Sequence, residues 1–125
     1  MNRLLAIILI VLYLMGINLF DSLIIDKKGE VLDGKFEALY ALAENESPAL
    51  SYAVNDIEAY WEKNEFFFAL IINHKLTDDL DEDILMLKHY IGINDEQHLM
   101  TKIAECRSMV QEIVKDNDFA WHNIF

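Results

Sequence analysis

Residues 4–20, LLAIILIVLYLMGINLF, carry no charge, and from Leu32 to Ile113 apolar positions return every three or four residues. The two patterns predict two kinds of helix. An uncharged run of 17 residues covers about 26 Å as a helix, just short of the roughly 30 Å hydrocarbon core of a bilayer. The span closes if the helix continues through Asp21 into residues 22–25, with the acid near the headgroups. Residues 1–25 are therefore expected to form an uncleaved transmembrane anchor, with Asn2 and Arg3 as its polar flank. A cleaved secretory signal would have a shorter apolar region and a small-x-small cleavage site. No such site follows Tyr13, and no early cysteine offers a lipid attachment.

Residues 26–125 read as one helical domain. Leu32, Phe36, Leu39, Tyr40 and Ala43 lie at helical spacing, and ENESP then punctuates the chain, so a first helix is expected to end near Glu44. Ser47 before Pro48 is a start signal, a capping hydroxyl followed by a residue with φ preset for the first turn. Val54, Ile57, Trp61, Phe68, Ile72 and Leu76 then make one apolar stripe on a long helix, continued by Leu80, Ile84, Leu87 and Ile91. Gly92 is expected to take the left-handed conformation that closes a helix. Asn94 with Gln97 resembles a capping box, and Asp95 and Glu96 suit the positive end of the next helix. The last helix presents Leu99, Ile103, Cys106, Val110 and Ile113. With no period-two strand among them, the expected fold is all-α: an N-terminal transmembrane helix followed by an antiparallel three- to four-helix bundle.

Charge narrows the partners. The chain of 125 residues has a formal charge of -12, and all 22 acids lie at or after Asp21, so the part beyond the apolar run stands at about -13. Nucleic acids and anionic headgroups draw their binding strength from clustered Lys and Arg, so both are excluded as partners. Cys106 is the single cysteine, which leaves no disulfide framework and no thiolate zinc site. Arg3 stands on one side of the span and Lys27, Lys28 and Lys35 on the other, interleaved with Asp26, Glu30 and Asp33. A short anchor followed by a large acidic domain is expected to export it, giving a single-pass protein of the cell membrane with an extracytoplasmic carboxyl side.

The stretch NHKLTDDLDEDILML, residues 73–87, holds the chain's most suggestive chemistry, with Asp78, Asp79, Asp81, Glu82 and Asp83 close behind His74. Asp79, Asp81 and Asp83 spell the start of a calcium-binding loop, but its sixth and twelfth positions, which need Gly and Glu, are Ile84 and Tyr90. On a helix the same run places Leu76, Leu80, Ile84 and Leu87 inward and the acids around the solvent side, with Thr77 available to cap a fresh helix. His74 is expected to be partly buried and satisfied by a carboxylate or the backbone. As metal ligands His74, Asp78, Asp79, Asp81 and Asp83 are weak candidates, and His89, His98 and His122 show no zinc-binding spacing. Ser47, Ser51 and Ser108 lack a nucleophile-elbow context, and no glycine-rich loop is present to cradle phosphate. No catalytic residue and no cofactor is expected. EFFFALII, residues 65–72, is expected to fill the core in the main, but Phe66, Phe67 and Phe68 cannot all face it, so Phe66 and Phe67 are candidate contact residues for a partner protein, a second copy or the membrane surface. The apolar tail FAWHNIF is expected to dock back on the bundle, with partner contact through Trp121 and Phe125 as the alternative.

Trp61, His74, Leu87 with Tyr90 and Ile91, and Asn123, Ile124 and Phe125 together resemble an uncharacterised, domain-of-unknown-function family of small bacterial single-span proteins. The likeness runs from about Ala49 to the end. HKLTDDL follows the histidine where that pattern has a Glu-Ile pair. The resemblance implies a membrane-anchored helical domain and supplies no catalytic residue. The expected role is that of a non-enzymatic accessory or scaffold acting by protein contact, held to the membrane through residues 4–25 and binding a membrane protein or itself. The alternative is an extracytoplasmic sensor that binds a divalent cation or small ligand at residues 78–83.

Overall fold

The computed structural model describes the backbone of residues 2–71 and 74–124, and the side chains within those limits except 18–22, 71 and 116–124. Four helices occur among them: α1 (Asn2–Glu44), α2 (Leu50–Ile71), α3 (His74–Gly92) and α4 (Glu96–Ile124). The domain is all-α, as its periodicity predicts. Successive helices pack antiparallel, and α4 closes the bundle against α1.

Each helix turns one stripe inward. α1 supplies Ile25, Leu32, Phe36, Leu39 and Ala43, and α2 supplies Val54, Ile57, Trp61 and Phe68. Leu80, Ile84 and Leu87 of α3 face Leu99, Ile103, Cys106, Val110 and Ile113 of α4, and no residue of this core is more than 3% exposed. Burying each large side chain contributes roughly 1.5–3 kcal/mol. Truncation of one of them, such as Phe36→Ala, costs about 3–5 kcal/mol because the neighbours cannot refill the space. Cys106 is one of these core residues, and burial pushes its thiol up from the ordinary range.

Among the described residues, each of the four seams carries at least one cross-helix ion pair. Lys35 Nζ lies 2.6 Å from Asp56 between α1 and α2, and Lys88 Nζ 3.1 Å from Glu58 between α2 and α3. Lys102 Nζ lies 3.5 Å from Asp83 between α3 and α4, and Arg107 Nε 3.0 Å from Asp33 between α4 and α1. Such partly exposed pairs are each worth less than about 1 kcal/mol. Their main effect is on register, since a shift of one turn would set excess acids against one another.

Two turns at one end of the bundle share a geometry. Glu46 N–H reaches Ala43 O at 3.2 Å and Ser47 N–H reaches Leu42 O at 3.0 Å; Asn94 N–H reaches Ile91 O at 3.3 Å and Asp95 N–H reaches Tyr90 O at 3.0 Å. These are paired Schellman closures, with the left-handed position held by Glu46 at φ 48° and Asn94 at φ 55°. Gly92, expected in that role, falls too early and stays helical. Ser47 caps α2 as its position predicts, accepting from Ala49 N–H at 3.2 Å. The cap of α4 is Asp95, which accepts from His98 N–H at 3.2 Å, rather than Asn94. Asn94 is committed to ending α3, so the capping role passes to the next residue.

The long helix expected through Leu76 is two helices. α2 ends at Ile71, and α3 begins at His74 and folds back, bringing Lys88 to Glu58 and Asp81 to Trp61. Apolar spacing survives the reversal because both helices face the same core. Thr77 lies within the first turns of α3 rather than capping it, and its Oγ1 donates to His74 O at 2.9 Å.

The expected anchor is not a separate helix either. α1 runs unbroken for 43 residues, so the apolar run and the first bundle helix are one rod of about 64 Å. Side chains 18–22 lie outside the described residues. Among the described residues, no helix is long and apolar enough to cross a membrane.

Candidate functional site

The acidic segment on α3 divides into three fates. Asp78 and Glu82 are exposed, as expected of a wet helix face, and Asp79 is half-buried. Asp81 turns toward α2, where its carboxylate accepts a hydrogen bond from Trp61 Nε1. Asp83 turns toward α4 and meets Lys102; burial raises its carboxyl above the usual range, and the nearby lysine only partly offsets this. Lys102 also donates to Glu105 at 2.8 Å, the main reason its ammonium is held above its ordinary value. Two of the three alternating acids that spell a calcium loop, Asp81 and Asp83, thus turn to different helices. Among the described residues, no group of three or more His, Cys, Asp and Glu is placed to hold a metal ion.

His74 is exposed, contrary to the expectation of partial burial. It is the first residue of α3 and stands at the mouth of the hairpin, where no neighbouring helix covers it.

Glu65 is a titratable group that sequence pattern does not single out. It lies one turn after Trp61 on α2, and its carboxyl is raised from 4.5 to about 7. The first cause is a side-chain hydrogen bond with Asp81, followed by burial and by the charges of Asp81, Asp78 and Glu62. The carboxyl of Glu65 and the indole N–H of Trp61 therefore converge on one carboxylate. Trp61 is itself 1% exposed and stacks on Phe68 with ring centroids 5.3 Å apart. Helical spacing does place Trp61 and Glu65 on one face, but their partner on α3 appears only once the hairpin is known.

At the end where the two Schellman turns meet, a groove of about 540 Å³ is lined by Ser47, Pro48, Tyr90, Asn94, Asp95 and Glu96 among others. Several of its polar groups have partners nearby. His98 Nδ1 lies 2.7 Å from Asp95, and this bond lowers the Asp95 carboxyl. A hydrogen bond to Glu46 raises the carboxyl of Glu96. Tyr90 stacks on His98 at 5.5 Å.

The opposite end carries apolar surface. Phe68 is buried, whereas Phe66 is 68%, Phe67 42% and Leu70 66% exposed. Phe66 and Phe67 meet edge to face at 6.1 Å, and Lys28 Nζ of α1 lies 4.9 Å over the Phe67 ring. Lys28 also donates to buried Asn64, whose amide is further held by Tyr60 O at 2.8 Å. From Leu4 to Ile17, the large apolar side chains of α1 are at least 40% exposed. Trp121 and Phe125, the other candidate contact residues, lie outside the described residues, as does the Asn123–Ile124–Phe125 close.

No curated protein and no solved structure matches the chain. A match to a known family covers residues 25–124 and begins at Ile25, the first buried residue of α1 among those described. That family is described as a domain of unknown function, DUF4363, and the chain belongs to it.

Proposed function

We propose that the chain is a membrane-anchored helical protein, with residues 4–25 in the bilayer and an acidic bundle that acts by contact with another membrane protein. The observation that carries this is the all-round apolar arm of α1 ahead of Ile25. Twelve large apolar side chains from Leu4 to Ile17 are each at least 40% exposed. A helix that is apolar around its whole circumference belongs in a protein core or in lipid, and the bundle core begins only at Ile25. The described apolar side chains cover about 21 Å of helix. A crossing of roughly 30 Å needs α1 to continue through Asp21 to Ile25, as its backbone does.

The bundle beyond it serves as an accessory or scaffold rather than an enzyme. In support, Ser47 and Asp95 at the groove serve as helix caps, and Asp81 and Asp83 of the acidic segment are tied to neighbouring helices. The acidic bundle lies on the extracytoplasmic side.

Alkaline carbonate extraction of membranes from cells expressing the full chain tests the anchor. The protein should stay in the pellet, and a variant with Ile8→Asp and Leu12→Asp should be released. Release of the unaltered chain would refute the anchor. Protease added to intact cells should remove the bundle if it lies outside. Crosslinking in native membranes should recover a specific membrane partner, and recovery of monomer alone would count against the scaffold role.

A further inference from the structure

Phe66, Phe67 and Leu70 form one exposed apolar patch on α2, since positions 66 and 70 stack along the same helix face and Phe66 touches Phe67. Other large apolar side chains exposed on the bundle, such as Tyr52, Leu85 and Ile93, lie apart from it. The place of the patch is fixed by α1. Lys35 pairs with Asp56 and Lys28 with Asn64, so α2 runs antiparallel to α1 and its last turns lie at the end from which the apolar arm leaves. Leu23, 60% exposed, adds an apolar side chain on α1 at the same end of the bundle. Lys28 reaches over Phe67 as an amphipathic side chain does between apolar and polar surroundings.

We infer that Phe66, Phe67 and Leu70, with Leu23, seat the bundle directly on the bilayer interface that the arm enters. The inference rests on the membrane-anchoring reading above and adds to it a second contact with lipid. The occupant follows from continuity: the patch lies beside the root of a helix whose next turns enter the bilayer. No proline occurs in α1, and arm and bundle are one helix, so the height of the bundle above the membrane is fixed rather than set by a flexible linker. Aromatic side chains favour this zone, where an apolar body meets a polar boundary. The acidic charge of the domain directs the contact to zwitterionic rather than anionic headgroups.

The full chain, reconstituted in phosphatidylcholine vesicles containing lipid with a doxyl group near the headgroup, tests this. An environment-sensitive fluorophore is attached through Lys63→Cys beside the patch, through Tyr52→Cys at the far end, or through Ile8→Cys in the arm. Cys106 is buried and does not compete for the label. Quenching at position 63 should exceed that at position 52 several-fold. It should fall to the level of position 52 when Phe66, Phe67 and Leu70 are all changed to Ser. Position 8, read with a doxyl group deep in the acyl chain, should remain quenched in both proteins. If position 8 is quenched while position 63 behaves like position 52, the seating is wrong and the anchor stands. If position 8 is not quenched, the anchor fails and the seating with it. A label at position 63 that is shielded from aqueous iodide without lipid quenching would place a second copy on the patch and overturn the proposal.

Discussion

Trp61 on α2 and Asp81 on α3 are joined by a hydrogen bond from the indole N–H to the carboxylate, although the rest of the Trp61 side chain is core. The bond lies between α2 and α3, the two helices linked through the reversal near residue 72. It gives a buried tryptophan the polar partner its N–H requires. It also places a carboxylate within reach of Glu65, and the two acids then share a hydrogen bond that holds the proton on Glu65.

That sharing makes the bundle sensitive to pH near neutrality. In the folded chain Glu65 keeps its proton up to about 7, against an ordinary value of 4.5. Between those values the folded state binds more protons than the unfolded state, so stability falls as pH rises. Below 4.5 both states are protonated at this position and its effect levels off. Glu65 is half-buried at the seam with α3, and the solvent that still reaches it screens the interaction, so the change is on the order of 1 kcal/mol. Thermal melts of the full chain in detergent, followed by far-UV circular dichroism from pH 5 to 8, should show this decline. Glu65→Gln should flatten it and melt higher than the unaltered chain at pH 8. An unchanged slope in that variant would remove Glu65 as the cause.

Trp61→Phe should cost about 1.5–3 kcal/mol, the range for a hydrogen bond to a charged group. The ring still fills most of the core space and stacks on Phe68, so the loss reports mainly the missing indole hydrogen bond to Asp81, whose carboxylate keeps only Glu65. Urea denaturation monitored by circular dichroism measures it. In the Asp81→Ala background the same substitution should cost measurably less, because the bond is already gone. Equal costs in the two backgrounds would show that Trp61 contributes by packing alone.

The stripe from Leu32 to Ala43 and that of α4 are legible in the sequence because a helix packed on one core repeats its apolar positions every three or four residues. The reversal near residue 72 is not, since Phe68, Leu76 and Leu80 keep that spacing on both sides of it. With the reversal hidden, Asp81 reads as solvent-facing and its contacts with Trp61 and Glu65 cannot be foreseen. The end of α3 shows a different limit. Gly92 is the residue best suited to left-handed backbone, but the hydrogen bonds of the closure place that conformation at Asn94. The exposure of Phe66 and Phe67 was foreseeable from crowding alone, whereas their position beside the root of the arm depends on the antiparallel pairing of α1 and α2.

Glu46 holds left-handed backbone at φ 48° although it carries a Cβ. Glycine removes the steric cost of that conformation, which is about 1 kcal/mol for a residue with a Cβ. Glu46→Gly should therefore raise the stability of the chain by roughly that amount despite the added freedom of the unfolded state. Glu46→Ala keeps the strained backbone and removes the same carboxyl, so it separates strain from the acid pair with Glu96. Chemical denaturation of both variants should show a gain for glycine over alanine. Equal midpoints would mean that the turn stores no strain.

Gly29 and Gly34 lie five residues apart on α1 and predict opposite responses to alanine. A Cβ on Gly34 meets nothing within 4 Å, and the position is exposed. Gly34→Ala should therefore stabilise the helix by about 1 kcal/mol through propensity alone. A Cβ on Gly29 would collide with Cγ2 of Val114, where α1 and α4 approach closely. Valine has few rotamers with which to yield, and overpacking of this kind costs about 1–3 kcal/mol. Gly29→Ala should accordingly come out neutral to destabilising, with the double variant Gly29→Ala and Val114→Ala recovering part of the propensity gain. Melting temperatures of the three variants decide the matter. A gain at Gly29 equal to that at Gly34 would mean that α4 does not press on α1 at this turn.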